Sequence, residues 1–228
     1  MPTIEVFLMF DPSDRNTMTW KKVKTTERGP NWTWIASHVA KSGYTLKVHG
    51  PSVHPSLKDI QDSMSTAEVT LLVGHGAATP GAAAGPKWVT DQITLTDGMI
   101  RSPDGAYVGK WNGSTLDGAK NTGKLTINKV TGMFTCNSTD EMPKAFDLPE
   151  GSHLVTNDGG DDGFTRIGTL ELGAADFVKE YARTKGNVSK AMAKAQHLFV
   201  RKGRRYAGDK GDTLSEKVGV PPPPPTPP

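Results

Sequence analysis

The sequence predicts an α/β fold: an open, mostly parallel sheet flanked by helices, with a β-hairpin excursion after the third strand. Three observations predict it. Short apolar runs alternate with helical stretches, the pattern of a parallel sheet with helices on both faces. The alternation breaks once, after Gly76, where β-like runs are separated by Asp-Gly pairs, a hairpin signal. It then resumes and closes on two helical segments.

Each element has its own reason. Ile4–Phe10 is apolar with β-branched and aromatic content and reads as the first strand; Asp11-Pro12-Ser13-Asp14 ends it as a loop. Asn31–Ser42 reads as a helix, with Asn31 as N-cap, Trp34, Ile35, His38 and Val39 on one face, and Gly43 closing it. Tyr44–Val48 is the second strand, Ser56–Met64 a short helix and Val69–Gly74 the third strand. Ala77–Lys87, built largely of Ala, Gly and Pro, reads as a small, flexible connection. Trp88-Val89-Thr90 and Gln92–Leu95 alternate like β-structure before Asp97-Gly98, and Asp104-Gly105 precedes Ala106-Tyr107-Val108. Leu116–Lys124 fits no single pattern. Val130–Thr135 is the fourth strand, Met142–Phe146 a short helix and Leu154–Thr156 the fifth strand. Asn157–Gly163 is a Gly/Asp loop, and Thr169–Arg183 and Val188–Lys202 are helices split by Gly186-Asn187. Pro221–Pro228 is nearly all proline and predicts a stiff polyproline II tail, a spacer or a ligand for SH3-like or WW-like partners. One domain is expected over residues 1–205, followed by a basic, polar linker and the proline-rich tail over 206–228.

Composition excludes several classes of function. Lys and Arg number 27 against 24 Asp and Glu, a net charge of only +3, so no global field favours nucleic acid. Arg201, Lys202, Arg204, Arg205 and Lys210 do cluster, but without aromatic interleaving beyond Tyr206, and they fit a solvated helix end. A single cysteine excludes an intrachain disulfide framework and a thiolate metal cage. No metal or cofactor is expected. Met1-Pro2-Thr3-Ile4-Glu5 shows no charged region ahead of an apolar stretch, and no apolar run approaches the ~20 residues that span a bilayer. A cytoplasmic protein, where a free thiol is ordinary, is the expectation.

The chemistry-bearing residues sit at strand ends. The third strand runs into His75-Gly76 and the fourth into Cys136, the only cysteine. Sites of open α/β sheets lie outside the carboxyl ends of the strands. A thiolate is the reactive form of cysteine, and a neighbouring imidazole can take its proton and later protonate a leaving amine. Gly76, without a Cβ, admits close approach of a substrate, and the N–H groups of Gly76 and Cys136 could face an oxyanion. Taken singly, a buried cysteine is also a small hydrophobe and a His-Gly pair also a loop. Val48-His49-Gly50 ends the second strand in the same way. His75 ranks above His49 because the second strand is expected to lie further from the fourth.

In their order, these segments resemble the caspase-like cysteine peptidases, and most closely the CHAT branch. The resemblance rests on Leu71-Leu72-Val73-Gly74-His75-Gly76, then Ile93-Thr94-Leu95-Thr96-Asp97-Gly98, then Met133-Phe134-Thr135-Cys136-Asn137-Ser138-Thr139. The closing Gly173-Ala174-Ala175-Asp176-Phe177 and Ser189-Lys190-Ala191-Met192-Ala193-Lys194-Ala195-Gln196 helices also look similar, and the match covers roughly Glu68–Val200. It implies His75 as general base and acid, Cys136 as nucleophile, and an oxyanion hole from the Gly76 and Cys136 amides, hydrolysing peptide bonds through an acyl-enzyme. It also implies an effector or associated protease of a bacterial-type signalling or defence system, under a regulatory protein partner. One departure concerns specificity: CHAT-like sequences carry Ala before the Cys and metacaspases Asp, where this chain has Thr135.

Asp158, Asp161 and Asp162, in the loop after the fifth strand, would attract a basic P1 side chain through charge-assisted hydrogen bonds. The same loop reads equally as a solvated Gly/Asp turn, and a calcium site is a third reading whose EF-hand spacing and closing glutamate are missing. Arg166 is the arginine near this loop, too little for an Asp-selective pocket. A basic preference would make Arg201–Arg205 a self-processing site. Two rivals stand beside the peptidase: a non-catalytic caspase-like module that binds a protein partner, and a phosphate-binding protein using Gly74–Gly85. The latter stretch matches neither GxGxxG nor GxxxxGK[ST].

Overall fold

The structure, a computed structural model, describes residues 1–10, 29–50, 57–74, 76–80, 88–94, 98–101, 119–120, 125–135, 143, 146–157, 167–203 and 214–221. In chain order the elements are β1 (Thr3–Met9), α1 (Trp32–Lys41), β2 (Thr45–His49), α2 (Leu57–Thr66), β3 (Val69–Gly74), β4 (Gly76–Pro80), β5 (Trp88–Thr94), β6 (Gly98–Arg101), β7 (Ala119–Lys120), β8 (Leu125–Thr126), β9 (Val130–Phe134), β10 (Phe146–Asp147), β11 (His153–Asn157), α3 (Ile167–Arg183), α4 (Val188–Gly203) and β12 (Leu214–Val218).

Six of these strands form the central sheet in the order β12-β11-β9-β3-β1-β2. Its neighbouring strands run parallel except for β12, which lies antiparallel to β11. The expected α/β sheet with flanking helices is therefore present. Alternation along each strand divides the core into two layers. Val6, Leu8, Leu71, Val73, Phe134 and Val155 face the layer packed by α1, α3 and α4. Phe7, Leu72, Met133 and Leu154 face the other, with Ile60 and Met64 of α2 and with Phe146. Being covered on both faces, β3 is buried along its whole length, which is why its sequence is apolar at every position but Thr70 rather than alternating; the Thr70 hydroxyl is paired with that of Ser63.

Local chemistry sets the helix ends. Asn31 caps α1, its Oδ1 accepting the Trp34 N–H at 3.0 Å, and removes one of the unpaired donors of the first turn. Between α3 and α4, Lys185 and Gly186 both take positive φ, 55° and 94°. The Gly186 N–H then returns to the Tyr181 carbonyl at 3.0 Å, satisfying an acceptor that the helix end leaves open.

A second sheet, β4-β5-β6-β7, follows β3 directly. The β5–β6 hairpin pairs Ile93 with Ile100 and Thr94 with Met99, so the excursion after the third strand is present. Its first strand differs from expectation. Ala77–Pro80, read as part of a flexible connection, joins Gly76 in a strand that pairs antiparallel with β5 through an irregularity at Ala77/Ala78. Gly and Ala carry little strand propensity, so pairing and not pattern makes this segment a strand. The Asp104-Gly105 turn lies outside the described residues.

Two further segments depart from the sequence reading. Phe146, assigned to a short helix, belongs to β10 and pairs parallel with Leu125. Phe146 is 2% exposed, and its burial in the α2-side layer outweighs the weak helical pattern of the five residues Met142–Phe146. Leu214–Val218, inside the stretch read as linker, is the antiparallel edge strand beside β11. The His153 Nδ1–Glu216 Oε1 contact at 2.7 Å and the Leu214 N–H donated to Gln196 Oε1 at 2.6 Å hold it.

Past β12, Gly219 passes so close to the preceding turn that a Cβ would lie 1.9 Å from the Pro149 carbonyl oxygen. Only glycine permits the bonds it makes there: its N–H to the Ser152 carbonyl at 2.9 Å, and its own carbonyl from the Gly151 N–H at 3.2 Å. Gly219→Ala is expected to cost about 2 kcal/mol. It should also free the Glu216–Val218 amides to exchange with solvent. Unchanged protection of those amides would show that the close approach is not needed.

Candidate active site

The strands β3 and β9 are neighbours in the parallel sheet, paired from Val69↔Val130 to Val73↔Phe134. Both therefore end at the same edge, with Gly74 the last residue of β3 and Thr135 the one after β9. β11 ends there too, paired to β9 up to Thr156↔Met133. This carboxyl edge is where sites of open α/β sheets lie. His75 follows Gly74 and Cys136 follows Thr135. Both lie outside the described residues, as do Asp158, Asp161 and Asp162. Gly76 is described: it opens β4, and its backbone pairs with Ile93.

The described shell of this edge is tightly built. A Cβ on Gly74 would sit 2.9 Å from the Met9 carbonyl oxygen, so the end of β3 lies against β1 with no room for a side chain. Thr135 is fully buried, and its carbonyl accepts the Asn157 Nδ2–H at 3.2 Å. This bond spans two strand ends. Sequence reasoning missed Asn157 by assigning it to the following loop; the one available signal was a polar residue directly after Leu154-Val155-Thr156.

Behind β9, aromatic rings form a column. Phe134 meets Phe177 edge-on at 6.0 Å, Phe177 stacks on Tyr181 at 6.0 Å and 14°, and Tyr44 meets Tyr181 edge-on at 5.9 Å. The column pins the end of β9 to α3. The Trp32 Nε1–H donates to the buried Glu171 carboxylate at 3.0 Å and ties the start of α1 to α3.

At the base of the column, the Tyr181 hydroxyl donates to Glu68 Oε1 at 3.0 Å. Burial, then the facing Glu68 carboxylate, pushes the Tyr181 phenol far above its usual range; burial and Glu68 raise Tyr44 in the same direction. In the unfolded chain both would ionise near ~10. The folded state keeps their protons longer, so their contribution to stability is complete below about pH 10 and is lost as pH rises beyond it. Of the four tyrosines, Tyr181 is expected to form phenolate only as the chain unfolds, and Tyr44 to ionise above the ordinary phenol range. A phenolate titration in which all four ionise together near ~10, with the fold intact, would contradict this.

His49 stands elsewhere. β2 is a terminal strand of the sheet, three strands from β9. Its ring stacks on Phe7 at 4.3 Å and 6°, and its Nε2 contacts Glu5 Oε2 at 3.0 Å. This histidine has a structural occupation far from the β3–β9 edge.

A cavity of about 430 Å³ lies at the amino end of the sheet, lined by Thr3, Thr66, Glu68, Asn128 and Lys129 among others, and is remote from the strand ends just described. Among the described residues no group of three or more His, Cys, Asp or Glu is arranged to hold a metal ion, and no helix is long and apolar enough to cross a membrane. The chain matches no protein-family model and no curated protein.

Proposed function

We propose that this chain is a caspase-like cysteine endopeptidase of the CHAT type, in which Cys136 attacks the scissile carbonyl and His75 moves the proton. The observation that carries this is the β3–β9 register. His75 and Cys136 are each two residues beyond its last pair, Val73 and Phe134. Parallel neighbours are ~4.8 Å apart, a spacing from which an imidazole and a thiol reach hydrogen-bond contact. The remote, Glu5-bound His49 gives no comparable pair.

The proposed reaction runs in two halves. His75 takes the thiol proton, the sulfur adds to the peptide carbonyl, and the oxyanion turns toward the N–H groups of Gly76 and Cys136. The C–N bond then breaks, and His75 gives its proton to the departing amine. In the second half, His75 takes a proton from water, hydroxide adds to the thioester, and the thiolate leaves with the proton returned to it. Asp158, Asp161 and Asp162 would hold a basic P1 side chain. The substrate is a protein or peptide, a protein partner sets the activity, and the setting is the reducing cytoplasm.

The test is covalent labelling with acyl-Arg and acyl-Asp chloromethylketones, read by intact mass, on wild type, His75→Ala, His49→Ala and Cys136→Ala. A single adduct at Cys136 that needs His75 but not His49 is expected, formed faster by the arginyl probe. A folded wild type that takes up neither probe would instead favour a binding module.

A further inference from the structure

We propose that Asn157 is the positioning residue of this site: its side-chain N–H holds the Thr135 carbonyl and thereby sets the plane of the peptide that leads into Cys136. The inference rests on the peptidase reading above. A peptide unit is planar and almost always trans, so its carbonyl and the next N–H share one plane and point in opposite directions. The Thr135 carbonyl belongs to the same unit as the Cys136 N–H. Fixing one fixes the aim of the other, and that N–H is one of the two proposed oxyanion donors.

The donor itself is well anchored. Asn157 is fully buried and is the last residue of β11. On one side its strand pairs with β9 through Thr156↔Met133; on the other, Asn157 pairs with Leu214 of β12. Thr135, the acceptor, is also fully buried, and directly follows Phe134, whose ring is backed by Phe177. The bond therefore joins two rigid strand ends across 3.2 Å. An oxyanion donor must be aimed before the reaction, because its effect depends on not having to reorganise. β12, by flanking Asn157, becomes part of the site's support although it contributes no residue to it.

A merely structural asparagine would also stabilise the fold, so the test separates the two. Full-length wild type is compared with Asn157→Ala, with Asn157→Asp, which keeps the shape but loses the N–H donor, and with Ser63→Ala. The last removes a buried hydrogen bond to Thr70 of 2.8 Å between α2 and β3. It serves as a control for destabilisation away from the site. Peptide hydrolysis, thermal midpoint and the pH profile of iodoacetamide alkylation of Cys136 are measured on each. Alkylation needs the thiolate but no oxyanion hole. The expected result for the Asn157 variants is kcat lower by about 10²-fold, with KM and the alkylation profile within about threefold of wild type. Ser63→Ala should lose thermal midpoint yet keep kcat.

Alkylation falling as far as kcat would overturn the proposal, since the thiol itself would then be disturbed. So would a kcat that stays with that of Ser63→Ala. An active wild type whose kcat ignores Asn157 removes this role alone. A wild type that neither hydrolyses peptides nor shows His75-dependent labelling removes the dyad and this role together.

Discussion

Cys136→Ala is expected to reduce peptide hydrolysis to the uncatalysed background, and His75→Ala to lower kcat on the order of 10²–10⁴-fold, the usual contribution of a positioned acid and base. On the proposed mechanism the two differ because alanine at 136 removes the atom that would form the acyl-enzyme, whereas alanine at 75 would leave a thiol whose ionised fraction is small near neutral pH. For His75→Ala, activity should climb with pH as the thiolate forms without help, and small imidazoles added to the assay should restore part of the rate. His49→Ala provides the contrast. It removes the Phe7 stack and the Glu5 contact at the β2 edge, so a modest loss of thermal midpoint with unchanged kcat is expected. Full activity in His75→Ala together with a deep loss in His49→Ala would reverse the assignment.

Phe177→Ala is expected to be among the most destabilising single changes in the described core, costing about 3–5 kcal/mol. The ring is fully buried, lies edge-on to Phe134 and stacks on Tyr181. Truncation leaves a cavity between two rings that are themselves fixed from the other side, Phe134 by β9 and Tyr181 by its bond to Glu68, so little of the space can close. In a chain of this size the thermal midpoint should fall on the order of 10 °C. The effect is mechanical as well as energetic, since Phe134 directly precedes Thr135 and loses its backing. Phe177→Leu, which keeps much of the volume, should recover most of the midpoint. A fall of less than about 3 °C for Phe177→Ala would mean that the column repacks.

Most of the central sheet was legible because its strands are apolar on both faces. Val69–Gly74 and Val130–Phe134 are short, continuous runs bounded by turn residues, and both appear as strands where the pattern put them. The capping asparagine of α1 and the Gly186 break between α3 and α4 were equally plain, since each depends on contacts a few residues away. Gly76–Pro80, Phe146–Asp147 and Leu214–Val218 were not legible. The first has too little side chain to show a period and the second is too short. The third is an edge strand, Leu-Ser-Glu-Lys-Val, whose polar residues suit a half-covered position and read as a linker. Each becomes a strand only by pairing with a distant partner.

The candidate site divides in the same way. The sequence by itself determined the α/β alternation, the break into a β excursion, and the fact that a histidine and the lone cysteine follow two apolar strands. Those are local properties of side-chain volume, polarity and turn chemistry, written within a few residues of each position. Only the tertiary structure decided that β3 lies beside β9 while β2 stands three strands away, that β12 closes the far edge, and that Asn157 reaches the Thr135 carbonyl. Strand order follows from which helix faces and sheet faces can be buried together over long stretches of chain, and periodicity carries no record of that choice.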